Sequence, residues 1–223
     1  MKRCFVMMAL VFLTISGMKT EVMAQDQVSM SISMYKNFSS AGETYGISFD
    51  LSNDALKKVT SVSIKGPKAP KIVANNPLDL NDMALSAVNL SLADFNRWFP
   101  EGNYKISTIP ARFGILSVPV THNFPSTPAV LYPLEGSSDV PTNPVITWTS
   151  VTGIIGLRLQ LKNDDIDFVY STGLPVNATS FAVPANVLKP NTRYELSLQA
   201  KGTDVSGNGL STTMTLSFIT MAQ

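Results

Sequence analysis

An all-β fold of two β-sandwich domains is what this sequence predicts, and three observations predict it. The 223 residues are 44% hydrophobic and only 15% charged, a balance that builds cores rather than a disordered chain. All fourteen prolines follow residue 24, where they separate short runs of alternating apolar and polar residues. A Pro125-Ser126-Thr127-Pro128 break then divides the chain.

The first element is a leader. Met1-Lys2-Arg3 is positive, Phe5 to Leu13 is an unbroken run of nine apolar residues, and Thr14 to Met23 is mixed. This predicts a signal peptide over residues 1–24, cut after Ala24, because nine apolar residues fall well short of the roughly 20 that span a bilayer. Cys4 leaves with it, so the mature chain is expected to hold no thiol and no disulfide. A cysteine-free exported chain must rely on its cores, which fits a bacterial secreted or periplasmic product without a membrane anchor. Loss of Lys2, Arg3, Lys19 and Glu21 turns the net charge from +1 to −1. That near-neutral balance excludes the electrostatic footprint of a nucleic-acid binder.

Residues 25–125 form the first domain. Val28, Met30, Ile32 and Met34 alternate with serines, and Tyr45, Ile47, Phe49 and Leu51 repeat the period, so each run buries one face. Val59 to Ile64, Tyr104 to Ile109 and Ile115 to Val120 are further strands, with turns at Gly102-Asn103 and Pro110-Ala111. Ser91-Leu92-Ala93-Asp94 starts like a capped helix, and Leu92, Phe95 and Phe99 recur at helical spacing before Pro100 stops it. Trp98 and Phe99 are assigned to the core in preference to ligand stacking.

Residues 126–223 form the second domain. Its strands are Val145 to Thr149, the Leu157-Leu159-Leu161 alternation, Asp167 to Tyr170, Ser180 to Val183, Tyr194 to Ala200 and Thr213 to Ile219. Short strands at this spacing, separated by turn signals, are the layout of an immunoglobulin-like sandwich. The proline-bearing break is expected to hold the two domains as a semi-rigid rod.

A family resemblance enters on particular residues. Thr147-Trp148-Thr149, Gly153 and Leu157-Arg158-Leu159 resemble the second and third strands of fibronectin type III domains. The run Leu188-x-Pro190-x-Thr192-x-Tyr194-x-Leu196-x-Leu198-x-Ala200 resembles that family's approach to its sixth strand, and Ser217-Phe218-Ile219-Thr220 its closing one. The resemblance covers about Thr127 to Thr220 and implies structural roles for Trp148, Leu188, Pro190 and Tyr194, the last as a tyrosine corner. Leu157 stands where the family commonly carries an aromatic residue. The first half, with Phe99 to Tyr104 and Thr121-His122, resembles the leading segment of certain bacterial secreted proteins that carry one such domain.

The chemistry-bearing residues point away from catalysis. Asn163, Asp164, Asp165 and Asp167 form an acidic cluster, but a calcium loop begun at Asn163 would need glycine at Phe168 and glutamate at Leu174. A hairpin tip that keeps its charges in water explains the cluster better. His122 is the only imidazole, no GxSxG elbow accompanies it, and its place between Val120 and Phe124 suits the end of a strand or a domain contact. No catalytic residue, metal site or cofactor is assigned. The expected function is an exported, non-catalytic binding or structural module that contacts an extracellular protein or polysaccharide. The alternatives are a carboxylate-dependent glycan-active hydrolase and a metal-dependent adhesion module.

The exported protein is expected to begin at Gln25 and to lack a titratable thiol, because Ala24 satisfies the cleavage position and Cys4 lies upstream. N-terminal sequencing with a thiol titration checks both, and a start before Cys4 contradicts both.

Overall fold

The computed structural model describes residues 29–52, 59–67, 71–75, 82–111 and 115–222. The expected signal peptide, Cys4, Gln25 and Val28 lie outside the described residues.

Among the described residues strands make up nearly all the regular structure. The first half carries β1 (Ser29–Ser39), β2 (Gly42–Ser52), β3 (Ser61–Lys65), β4 (Lys71–Asn75), β5 (Asp82–Leu90), β6 (Gly102–Ile109) and β7 (Leu116–Val120). One helix, α1 (Leu92–Trp98), sits between β5 and β6. The second half carries β8 (Val130–Tyr132), β9 (Val145–Trp148), β10 (Gly156–Asn163), β11 (Phe168–Leu174), β12 (Ser180–Ala182), β13 (Arg193–Thr203) and β14 (Gly209–Ile219). The fold is all-β.

Alternation places the core. In the β1–β2 hairpin Ile32 pairs with Phe49 and Met34 with Ile47, and all four are buried while Ser31 and Ser33 face solvent. Ile64 of β3 and Ile106 of β6 close the same core from the opposite sheet. A second core gathers Trp148, Leu159, Tyr194, Leu196 and Phe218. The two clusters divide at the proline break with one exception, Leu210 of β14, which belongs to the first.

The two halves repeat one topology. The first packs β1-β2-β5 against β4-β3-β6-β7, and the second packs β8-β9-β12 against β11-β10-β13-β14. Counted from its own first strand, each half therefore sets strands 1-2-5 against 4-3-6-7. β9, β10, β13 and β14 are the second, third, sixth and seventh strands of the second half, the places the fibronectin type III resemblance implies for their motifs.

Both sixth strands open on a tyrosine corner. The Tyr194 hydroxyl accepts the Lys189 backbone N–H at 2.9 Å, and the Tyr104 hydroxyl donates to the Pro100 carbonyl at 2.9 Å. Each tyrosine is 1% exposed and follows a proline by four residues. The sequence reading found the corner at Tyr194 and missed the one at Tyr104. Burial pushes the Tyr104 phenol well above its ordinary pKa, so it stays a neutral donor.

Three strands were not foreseen. β5 reads Met83-Ala84-Leu85-Ser86-Ala87-Val88, too evenly apolar to show alternation, whereas β4 is short and β8 has only three residues. Around α1 the expectation needs correction. Ser91 caps it, its Oγ accepting the Asp94 N–H at 3.1 Å, and Phe95 and Phe99 are buried. Trp98, assigned to the core, is 43% exposed, and Leu92 is 50% exposed. The helix has only seven residues and turns the Phe95 and Phe99 face to the core, which leaves Leu92 and Trp98 on its margins.

Tyr104→Phe and Tyr194→Phe are each expected to lower stability by about 1 kcal/mol with the fold retained, since each removes one buried hydroxyl's hydrogen bond. Chemical denaturation of the two variants against the parent checks this, and an unchanged midpoint contradicts it.

Candidate functional site

The halves meet edge to edge. β1 pairs in parallel with β14 from Ser33 opposite Gly209 to Phe38 opposite Met214, which merges one sheet of each sandwich into the seven-stranded order β11-β10-β13-β14-β1-β2-β5. The proline break is thus not the only connection. Residues 204–208, the turn between β13 and β14, lie against the end of β7 and lock the junction. One Asp204 carboxylate oxygen accepts from the Ser206 and Asn208 N–H groups at 2.8 and 2.9 Å. The other accepts from Asn208 Nδ2 at 2.7 Å and from the Thr121 N–H at 3.3 Å. Asn208 Nδ2 also donates to the Pro119 carbonyl, and the buried Thr212 hydroxyl donates to the Pro125 carbonyl, both at 2.8 Å. Burial alone would raise the Asp204 pKa, but these donors outweigh it and hold the carboxyl below its ordinary value. The sequence reading did not single out Asp204. Its signal was present in Asp204-Val205-Ser206-Gly207-Asn208, a turn composition between two alternating runs.

A groove of about 530 Å³ opens beside this junction, lined by residues that include Lys36, Tyr45, Asn96, His122, Asn123 and Phe124. Lys36 pairs with Glu43 at 3.0 Å, and the Tyr45 hydroxyl donates to the same carboxylate at 2.7 Å. The groove's one ammonium is therefore countered. Burial and the Glu43 hydrogen bond push the Tyr45 phenol up to about 12. Asn96 and Asn123 are exposed and offer neutral amide donors and acceptors.

His122 forms part of one wall. Its backbone N–H donates to Glu101 Oε1 at 2.6 Å, its ring lies 4.7 Å from Phe95, and its Nε2 is buried without a hydrogen-bond partner. Burial pushes the imidazole pKa down against the pull of the Glu101 carboxylate. The ring thus packs on α1 within its own half while bordering the junction groove.

The remaining sequence candidates lie apart. The Trp148 indole donates to the Ala178 carbonyl at 2.9 Å from the second core, where Leu188 and Leu157 are also buried. The Pro190 carbonyl accepts the Thr192 hydroxyl at 2.8 Å at the approach to β13. Asp164 sits at the β10–β11 turn, paired with Lys162 at 2.8 Å, while Asn163 turns its amide inward to the Arg193 carbonyl. Among the described residues no group of three or more His, Cys, Asp or Glu side chains is placed to hold a metal.

A second, apolar groove of about 260 Å³ lies between β4 and β5 and is lined by Ile72, Ala87, Leu90, Trp98 and Phe99. It adjoins a smaller one that reaches Ile47 and Phe49 of the core.

No protein-family model matches the chain, and no curated protein matches it. Among solved structures, the crystal structure of chicken CNTN1 FN1–FN3 domains is similar at a TM-score of 0.26 and 9% identity. That match covers 85% of this chain and 64% of the other, so the chain spans less than two thirds of it.

Asp204→Asn is expected to destabilise the protein near neutral pH, because the amide cannot accept all the bonds the carboxylate does. A carboxyl whose pKa is lower folded than unfolded contributes stability above its ordinary value, 3.8, and loses that contribution as pH falls through the folded value. The gap between parent and variant should therefore narrow on acidification below that range. Denaturation midpoints over a pH series check it, and a gap constant with pH contradicts it.

Proposed function

We propose that this protein is an exported, non-catalytic binding module, a fibronectin type III-like double sandwich whose junction groove contacts an extracellular protein or polysaccharide. The observation that carries this reading is the groove itself. Sites of this size recur where domains meet, and here the β1–β14 ladder holds the strand that carries Lys36 while the Asp204 turn anchors Thr121 next to His122. The lining suits a neutral partner, with exposed amides at Asn96 and Asn123, hydroxyls at Ser126 and Thr127, and the Lys36 charge offset by Glu43. Hydrolysis asks for more, namely a base aimed at a nucleophile or paired carboxylates across a cleft. Among the described residues the groove is lined by no Asp or Glu, and the His122 Nε2 faces into the protein. The leader pattern supports export, and the near-neutral mature charge supports recognition by shape and hydrogen bonds.

The test is retention of the purified protein on a panel of soluble polysaccharides and purified extracellular proteins. Asn96→Ala combined with Asn123→Ala should weaken the retained partner by roughly tenfold, with unchanged thermal unfolding because both side chains are exposed. Retention unaffected by the double change would overturn the groove assignment. Turnover of any polysaccharide, ester or peptide that His122→Ala abolishes would replace the binding module with an enzyme.

A further inference from the structure

We infer that β5 is a self-association edge and that two copies of this chain pair antiparallel through it. An edge strand offers a row of unpaired N–H and C=O groups, and soluble proteins guard such rows with short length, lysine, proline or nearby charge. Among the described residues every other free edge carries such a guard. β4 has five residues and begins at Lys71, β7 contains Pro119, and β8 and β12 have three residues each. β11 is entered from the charged turn of Asp164, Asp165 and Asp167. β5 differs. It has nine residues, its only charged residue is the first, Asp82, its bulge at Val88–Asn89 lies at its far end and leaves Met83 to Ala87 regular, and among the described residues it pairs with β2 alone.

Among the described residues the space beside this edge is lined by apolar side chains as well. Met83, Leu85 and Ala87 turn toward the first core, while Ala84, Ser86 and Val88 face solvent. A strand added outside β5 would place its inward side chains in the apolar groove between β5 and β4, beside Ile72, Trp98 and Phe99. That strand must be uncharged along its length and apolar at alternate positions on one face. From Met83 to Val88, β5 of a second copy meets both requirements.

Its self-complementarity favours one register. With Ser86 opposite Ser86 of the other copy, Leu85 meets Ala87 on the groove side and Ala84 meets Val88 on the solvent side, each pair matching large with small. The antiparallel register keeps the two copies of Asp82 at opposite ends of the pairing, so no like charges face each other. The pairing would also run the two copies into one continuous sheet, because β5 ends the seven-stranded sheet that spans both halves of the chain. The inference does not depend on what the junction groove binds.

Sedimentation of the purified protein at roughly 10 to 100 µM should show a reversible dimer, a range suited to a contact of one strand pair. Ser86→Lys sets two ammonium groups opposite each other and should weaken that dimer by at least about tenfold. Gln160→Lys, the same change on the outer face of β10, should leave it intact. Ala84→Lys serves as a second edge variant should Ser86→Lys unfold, as circular dichroism would reveal. Ser86→Cys should cross-link to itself under oxidation, whereas Ser48→Cys, one strand inward, should not. A monomer throughout that range overturns the inference. So does a dimer that neither edge variant weakens, or one that Val169→Lys on β11 dissolves instead. A monomer that captures an uncharged, alternately apolar peptide through β5 would assign the edge to a foreign strand.

Discussion

The parallel ladder between β1 and β14 is the constraint on which the rest of this structure depends. A proline-bearing connection alone permits a range of angles between two sandwiches. Here a second connection, through backbone hydrogen bonds between strands far apart in sequence, removes that freedom. It brings the Asp204 turn onto the end of β7 and sets Leu210 into the first core. It also determines which edges of the joined sheet, β5 and β11, stay open. Groove, turn and edges are consequences of one pairing.

Within that frame the chain uses one sandwich plan twice and finishes it in two ways. Both halves begin the sixth strand with a tyrosine whose hydroxyl binds backbone a few residues upstream, tying the entering loop to the sheet without a disulfide. The second half fills its centre with Trp148, anchored to the Ala178 carbonyl. The first relies on a cluster of smaller rings instead, with Phe49 5.7 Å from Tyr104 and Phe95 6.1 Å from Phe99, and closes one end with α1. That cap supplies Asn96 and Phe95 to the junction groove. The half with the helix is therefore the half that carries most of the groove.

How much of this was legible depended on whether a strand had one wet face. β1, β2, β10 and β13 alternate between core and solvent, so their period of two is plain in the residues. β5 borders a groove on one side and carries Ala84 and Val88 on the other, and the period disappears. The corner at Tyr194 showed because alternating leucines follow it, whereas Tyr104 follows the same proline spacing without them. Trp98 was misplaced because helical spacing says which residues share a face and nothing about how wide a stripe the core covers, and here it reaches Phe95 and Phe99 only. The junction was beyond reach for a different reason. Strand pairing between distant segments leaves no periodic trace, and the serines of β1 fit an open face as well as a neighbouring strand.

The direction of the β1–β14 pairing has a mechanical meaning. These are the first and last strands described, and they run the same way, side by side. Tension applied ahead of Ser29 and beyond Ile219 would therefore pull the two strands past each other along their length. The six register pairs from Ser33–Gly209 to Phe38–Met214 would share that load together, instead of opening one after another as in a hairpin pulled from its open end. A chain tethered at both ends would meet strain with its interdomain seam in shear, the loading direction in which a short ladder resists most.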